Sequence, residues 1–393
     1  MFLEILFAIL LGVLAGCFTG LIPGIHVNLI ALSLLTFSPF LIGFVSTSFL
    51  VCFIVSMAIT HSFMSTIPSI FLGAPESSTA LGVLPGHRML LEGKGVVAVK
   101  LTVAGSILGL LLCFLLYPFF VFLIDFGYDY ASEYMFELLF VISLFLVFRS
   151  KSFLFALFIF LSAGAVGYFG LNSNIDNSLF AMLTGFFGVS TLAYSLKESS
   201  SYPKQSVFNF SHGYKESFSS LLFGSFSGFI TCVLPGLGSS TAATICSLFK
   251  SDGEAKNFLF MIGSISTVNF FMSIAALSVI DRARNGAIIV VSSITDANSF
   301  LLIASCLIAG GLSVFLCFFI SEKFIFFVKK FDYKRLVLFV IFCLVVICFL
   351  LCSFTGLFLF FVSFLVGYLC NVLSLPRNLM MACIMVPVIF FIF

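Results

Sequence analysis

Three short runs set polar side chains and helix-breaking residues inside otherwise apolar sequence: GVLAGCFTGLIPGIHVN (residues 12–28), IPSIFLGAPESSTALGVLPGHRMLLEGKG (67–95) and VLPGLGSSTAAT (233–244). In the first, Thr19 precedes Pro23 and Gly24, and His26 and Asn28 follow. In the third, Pro235, Gly236 and Gly238 lead into Ser239, Ser240, Thr241 and Thr244, with Thr231 upstream. Proline removes a backbone donor and clashes with the preceding turn, while glycine permits unusual dihedrals, so the first helix is expected to stop at residues 22–24 and restart beyond them. A restarting helix presents unpaired N–H groups and the positive end of its dipole, and an anion is the natural guest there. In hydrocarbon such a break survives only where it is buried in protein or lines a wet cavity, because each unpaired backbone group costs several kcal/mol.

The middle run has a different character. Its portion 67–86 is nearly uncharged, reads as a re-entrant segment, and holds Glu76 as its one carboxylate. A carboxylate at membrane depth needs a cation, a proton or a hydrogen-bonded site, which makes Glu76 a candidate for ion or proton coupling. His61 lies near the middle of an apolar run and is read either as a proton carrier or as a hydrogen-bonded packing residue. Asp281, Arg282 and Arg284 are expected to mark a helix end at a membrane surface.

These groups must be held by the rest of the chain, and its composition says how. The 393 residues are 61% hydrophobic and 9% charged, which excludes a soluble globular domain and identifies an integral membrane protein. Apolar runs of about 18–25 residues match a helix crossing ~30 Å of hydrocarbon and lack the alternation of a membrane barrel, so the fold class is all-α, with about 10–12 spans. The twelve Cys are scattered, with no C-x-x-C and no Cys/His cluster of metal-ligand spacing, so neither a metal site nor any other cofactor is expected. Cys348 and Cys352 share a helix face as small packing residues. There is no basic block for nucleic acid. The N-terminus lacks a basic leader region and a cleavage site and is read as retained structure.

Basic clusters at 87–100, 149–151, 197–215 and 323–335 alternate with acidic or uncharged turns at 125–137 and 172–177. The positive-inside rule places the basic loops, including 197–216 and 321–335, in the cytoplasm of a multi-pass cell-membrane protein. Residues 197–216, rich in Ser and Lys with Pro203, form a linker between an N-terminal repeat (1–196) and a C-terminal repeat (217–393). Sliding the second half over the first by 212 residues matches Gly12/Gly224, Gly16/Gly228, Thr19/Thr231, Pro23/Pro235 and Gly24/Gly236. An offset of 208 matches Phe63-Met64-Ser65 with Phe271-Met272-Ser273 and sets His61 opposite Asn269, which joins Glu76 and His61 as an ion-coupling candidate. Gly12, Gly16 and Gly20 occupy one helix face and allow close helix approach. Paired broken helices in matching positions of two halves, here read as inverted repeats, point to a transporter's substrate site.

At these residues the sequence resembles the TctA family, the large membrane subunit of the tripartite tricarboxylate transporters, and especially its shorter archaeal-type members. The resemblance rests on GLIPGIHVN (20–28), FLGAPESSTALGVLPGHRMLLEGKG (71–95) and VLPGLGSSTAAT (233–244), the middle segment being the most specific. It implies a permease for small carboxylate anions such as citrate, driven by a Na+ or H+ gradient, with no catalytic role. In bacterial members a small membrane subunit and an extracellular binding protein complete the system. The family's motif residues carry over to Pro23, Gly24, Gly73, Pro75, Pro235, Gly236 and Gly238, and Ser77, Ser78 and Thr79 form the Ser/Thr run of the middle motif. Ala74 and Glu76 flank Pro75 where the family usually continues with Gly, and Pro85-Gly86-His87 stands where Asp-Gly-Tyr is usual. The substrate carboxylate is expected between the two broken-helix N-termini, held by Pro23, Gly24, His26 and Asn28 on one side and Pro235 to Thr241 on the other. A translocase for a lipid-linked phosphate would use the same helix ends. An intramembrane enzyme lacks any recognisable catalytic motif here, and a channel lacks a repeated filter stretch or a ring of charge, which only a homo-oligomer could supply.

Overall fold

The computed structural model describes residues 2–22, 27–73, 83–150, 152–196, 214–233, 242–243, 255–281, 285–294, 298–328 and 333–392. Among the described residues every regular element is helical and none is a strand, as the sequence requires. The first part of the chain forms α1 (Phe2–Leu21), α2 (Val27–Leu41), α3 (Thr47–Met64), α4 (Thr66–Phe71), α5 (Val83–Leu91), α6 (Gly95–Leu115), α7 (Tyr117–Glu133), α8 (Met135–Phe148) and α9 (Phe153–Asn172). It then runs through α10 (Ser178–Leu183), a π turn (Thr184–Val189) and α11 (Ser190–Ser195). The second part forms α12 (Tyr214–Val233), α13 (Ala255–Ile280), α14 (Gly286–Ile294), α15 (Ser299–Val328), α16 (Tyr333–Val372), a 3-10 turn (Arg377–Met381) and α17 (Ala382–Ile392). Among the described residues seven helices are long and apolar enough to cross a membrane, and shorter apolar helices of 10–17 residues accompany them.

Two helices lie at the centre. The 47–71 span is 89% buried and the 255–280 span 83% buried, whereas the 337–372 span is 28% buried. The enclosed helices carry hydroxyl side chains at their contacts (Ser56, Thr60, Ser264, Thr267), while α7, α9 and α16 turn Phe122, Phe126, Phe155, Phe158, Phe339 and Phe342 outward. Small polar residues inside and large apolar ones outside is the arrangement expected when the solvent is lipid, since close backbone approach rather than hydrophobic exclusion then holds helices together.

The central helices each have a flanking partner from their own half and a second from the other. In the first half α1 lies along α3: a Cβ added at Gly16 would sit 2.5 Å from Met57 O and 2.6 Å from Thr60 Cβ. In the second, α12 lies along α13, and a Cβ at Gly228 would sit 2.8 Å from Ile265 O and 2.8 Å from Val268 Cβ. Gly228 stands 212 residues after Gly16, and Ile265 and Val268 stand 208 after Met57 and Thr60, so both pairs of helices meet in the register of the sequence offsets. The remaining partners are exchanged. Helix α3 packs on α15, with Ser313 Oγ donating to Thr60 Oγ1 at 2.9 Å and Cys317 Sγ to Phe63 O at 3.6 Å. Helix α13 packs on α6, with Tyr117 at the start of α7 set edge-on to Phe271 at 6.0 Å between ring centroids.

Three local features depart from the sequence expectation. The acidic turn expected over 125–137 is helical to Glu133, because Phe120, Ile124 and Tyr128 continue a buried stripe at four-residue spacing while Asp125 stays exposed. The span expected over 178–196 carries the π turn in its middle. Helix α16 is two helices meeting at Ser353, whose φ of 58° and ψ of −168° no helix contains. The bend brings Gly356 O to 3.8 Å from Cys348 Sγ, and Cys352 Sγ donates to Asn177 O at 3.5 Å, so that cysteine pair serves the bend as packing and weak donors.

Candidate functional site

Helix α1 ends at Leu21 and α2 begins at Val27, so the break falls where Pro23-Gly24 was expected to put it. Four residues before Pro23, the Thr19 hydroxyl is buried and faces α3. Its Oγ1 donates to Gly16 O at 3.3 Å and lies 3.0 Å from His61 Nδ1, itself buried. The hydroxyl can donate to or accept from Nδ1, according to the His61 tautomer. The second half repeats the arrangement: four residues before Pro235, Thr231 Oγ1 donates to Gly228 O at 2.8 Å and accepts from Asn269 Nδ2 at 2.9 Å. In both places a Thr four residues before a Pro-Gly motif is hydrogen-bonded to the central helix, through an imidazole nitrogen in one case and an amide in the other.

Of the residues named from sequence, His61, Asn269, Gly73 and Asn28 fall in described helices or their ends. Asn28 is in the first turn of α2. Gly73 has φ +63°, the left-handed conformation glycine favours, and a Cβ there would lie 2.7 Å from Leu192 Cδ2 and 3.9 Å from His87 Nδ1. Pro23, Gly24 and His26, Pro75, Glu76, Ser77, Ser78 and Thr79, and Pro235, Gly236, Gly238, Ser239, Ser240 and Thr241 lie outside the described residues. Asp281 does stand at a helix end, directly after α13 and with φ of 51°.

A second polar neighbourhood was not foreseen. After Gly73 the chain returns through α5, where His87 Nδ1 lies 3.1 Å from Ile70 O and the ring is buried. Burial holds the His87 pKa below its ordinary 6.5, the bond to Ile70 opposes this, and the positive charge of Arg377 lowers it further. Arg377 itself comes from the 3-10 turn after α16 and donates from Nη1 to Thr191 Oγ1 at 2.8 Å. Thr191 and Ser190 follow the π turn, and their hydroxyls donate to Phe187 O and Phe186 O. The sequence did hold a signal for Arg377: it is the one charged side chain after Arg335. The ion pairs among the described residues lie elsewhere. Arg88 and Lys94 pair with Glu92 on the surface, and Lys100 joins α6 to α15 through Glu322 at 2.7 Å. Among the described residues no group of three or more His, Cys, Asp or Glu could hold a metal ion.

Residues 6–382 match the model of the Tripartite tricarboxylate transporter TctA family. The chain belongs to the TctA family. Consistent with that, it is 31% identical over 352 residues, 86% of each chain, to an uncharacterized protein of Methanocaldococcus jannaschii. No solved structure matches it. As a TctA member it is a multi-pass membrane protein of a transporter family for tricarboxylate-type substrates, whose systems include a small membrane subunit and a binding protein.

Proposed function

We propose that this TctA protein is a secondary active transporter of small, citrate-like carboxylate anions, coupled to a Na+ or H+ gradient. In this reading the carboxylate is bound by Pro23, Gly24, His26 and Asn28 from the first motif, Pro235, Gly236, Gly238, Ser239, Ser240 and Thr241 from the third, and Gly73, Pro75, Ser77, Ser78 and Thr79 from the middle one. The observation that carries this reading is the matched pair of hydrogen bonds, Thr19 with His61 and Thr231 with Asn269, each at a Thr four residues before a Pro-Gly motif. Two related halves account for the match, and their rocking about the site would supply alternating access. His61 is the titratable member of the two pairs and Asn269 its neutral counterpart, so of the two His61 is the proton-coupling candidate, beside Glu76. Basic loops, including 197–216, face the cytoplasm. A small membrane subunit and an extracellular binding protein are the partners of this arrangement.

Purified protein in liposomes, loaded with unlabelled citrate and given labelled citrate outside, tests this directly. Counterflow is expected in the wild type, to respond to an imposed Na+ or H+ gradient, and to disappear when Gly236 and Ser239 are both changed to Leu. Equal counterflow in that variant would remove the second break from the site.

A further inference from the structure

The half-buried guanidinium of Arg377 is held by one hydrogen bond, to Thr191 Oγ1, and no carboxylate among the described residues pairs with it. Guanidinium presents five N–H donors in a planar fork, so four remain for another acceptor. A cation removed from water in a membrane protein requires a counter-charge, because its desolvation is otherwise uncompensated. The same connection carries a second unengaged donor. Asn371, 8% exposed, has a buried Nδ2 with no hydrogen-bond partner. The polypeptide holds Arg377 deliberately: the π turn sets Thr191 so that its own proton goes to Phe187 O, leaving its lone pair for the guanidinium. Leu192, the next residue, packs where a side chain on Gly73 would be, and the charge of Arg377 is felt at His87. Arg377 is thus linked through Thr191 and Leu192 to Gly73 and belongs to neither of the Thr19 and Thr231 pairs.

We propose that Arg377, assisted by Asn371, forms an oxyanion-binding site separate from the broken-helix ends, taking the planar two-oxygen face of a carboxylate. Resting on the carboxylate reading above, this gives a multiply charged substrate a second point of attachment and makes Arg377 a determinant of preference for tricarboxylates. A lipid headgroup phosphate or inorganic phosphate has the same chemistry, and the test separates the sources.

The full-length protein is purified as wild type, Arg377→Gln, Arg377→Lys and Asn371→Ala, and thermal unfolding is followed against citrate, inorganic phosphate and, in nanodiscs, phosphatidylglycerol over phosphatidylcholine. Citrate is expected to stabilise the wild type, with apparent affinity about tenfold weaker in Arg377→Gln and partly recovered in Arg377→Lys, because a fork–fork contact is lost and then replaced by a point charge. Asn371→Ala is expected to weaken it less. In liposomes the loss falls on KM for citrate rather than on kcat. Stabilisation of the wild type by phosphate or phosphatidylglycerol alone, and dependent on Arg377, keeps the site and sinks the carboxylate reading. Citrate stabilisation that is the same in wild type and Arg377→Gln overturns the site and leaves that reading standing; so does a wild type that responds to citrate only through Gly236 and Ser239. No response of the wild type to any of the three overturns the site as well. Should Arg377→Gln aggregate, Arg377→Lys and Asn371→Ala carry the comparison, and affinities within twofold of wild type in both overturn the proposal.

Discussion

Thr231 accepts one N–H from the central helix, and removing its hydroxyl strands that donor. In Thr231→Val, Asn269 Nδ2 keeps its donor and loses its partner, and stability should fall by about 1 kcal/mol, with Thr231→Ser restoring it. The detergent-solubilised unfolding midpoint measures this; equal midpoints for Val and Ser would mean that the bond contributes nothing. His87 sets a second test, through pH. Its depressed pKa keeps it neutral in the folded protein, so below pH 6.5 the unfolded chain takes up the proton first. Stability should therefore be lost progressively as pH falls from 6.5 through the lower folded value. His87→Gln, which keeps an N–H for Ile70 O, should flatten this acid limb, and an unchanged slope would place the titration elsewhere.

Among the elements, the bend in α16 makes the sharpest claim. Ser353 occupies a backbone region that is close to glycine-only, at a cost of about 1–3 kcal/mol, so Ser353→Gly should raise the unfolding midpoint and Ser353→Val lower it. A destabilised Gly variant would mean that the serine hydroxyl, not the backbone, decides the residue. The sequence made the helical class and the stop at Leu21 legible because apolar length and Pro-Gly chemistry act locally. The glycine face of α1 was also legible as a surface of close approach, but its partners were not: that Gly16 meets Thr60 and Gly228 meets Val268 is set by packing between helices. The π turn was not legible, because which carbonyl an amide chooses is settled by packing around Thr184–Val189 rather than by propensity. The sequence marks Arg377 as the one charge after Arg335 but not its pairing with Thr191, 186 residues away, which is likewise settled by packing.

At the scale of the molecule the deciding contact is the crossing of α6 and α13. A Cβ on Gly105 would run into the Phe260 carbonyl, and one on Gly263 into that of Thr102. Backbone cannot give way as a side-chain tip does, so Gly263→Val should cost more than about 3 kcal/mol and leave little monodisperse protein on size exclusion, whereas Gly311→Ala, with open space around it, should behave as wild type. Normal yield of Gly263→Val would mean that the two helices can part without harm. The exchange of partners between the central helices also bears on how the protein is made. The hydroxyl seam of α3 is covered by Ser313, 253 residues after Thr60, so at roughly 5–20 residues per second the ribosome needs roughly 10–50 s before that cover exists. For that interval the first helices sit in the bilayer with their polar seam unclaimed, and the insertion machinery, or a chaperone within the membrane, has to shelter them until the second half arrives.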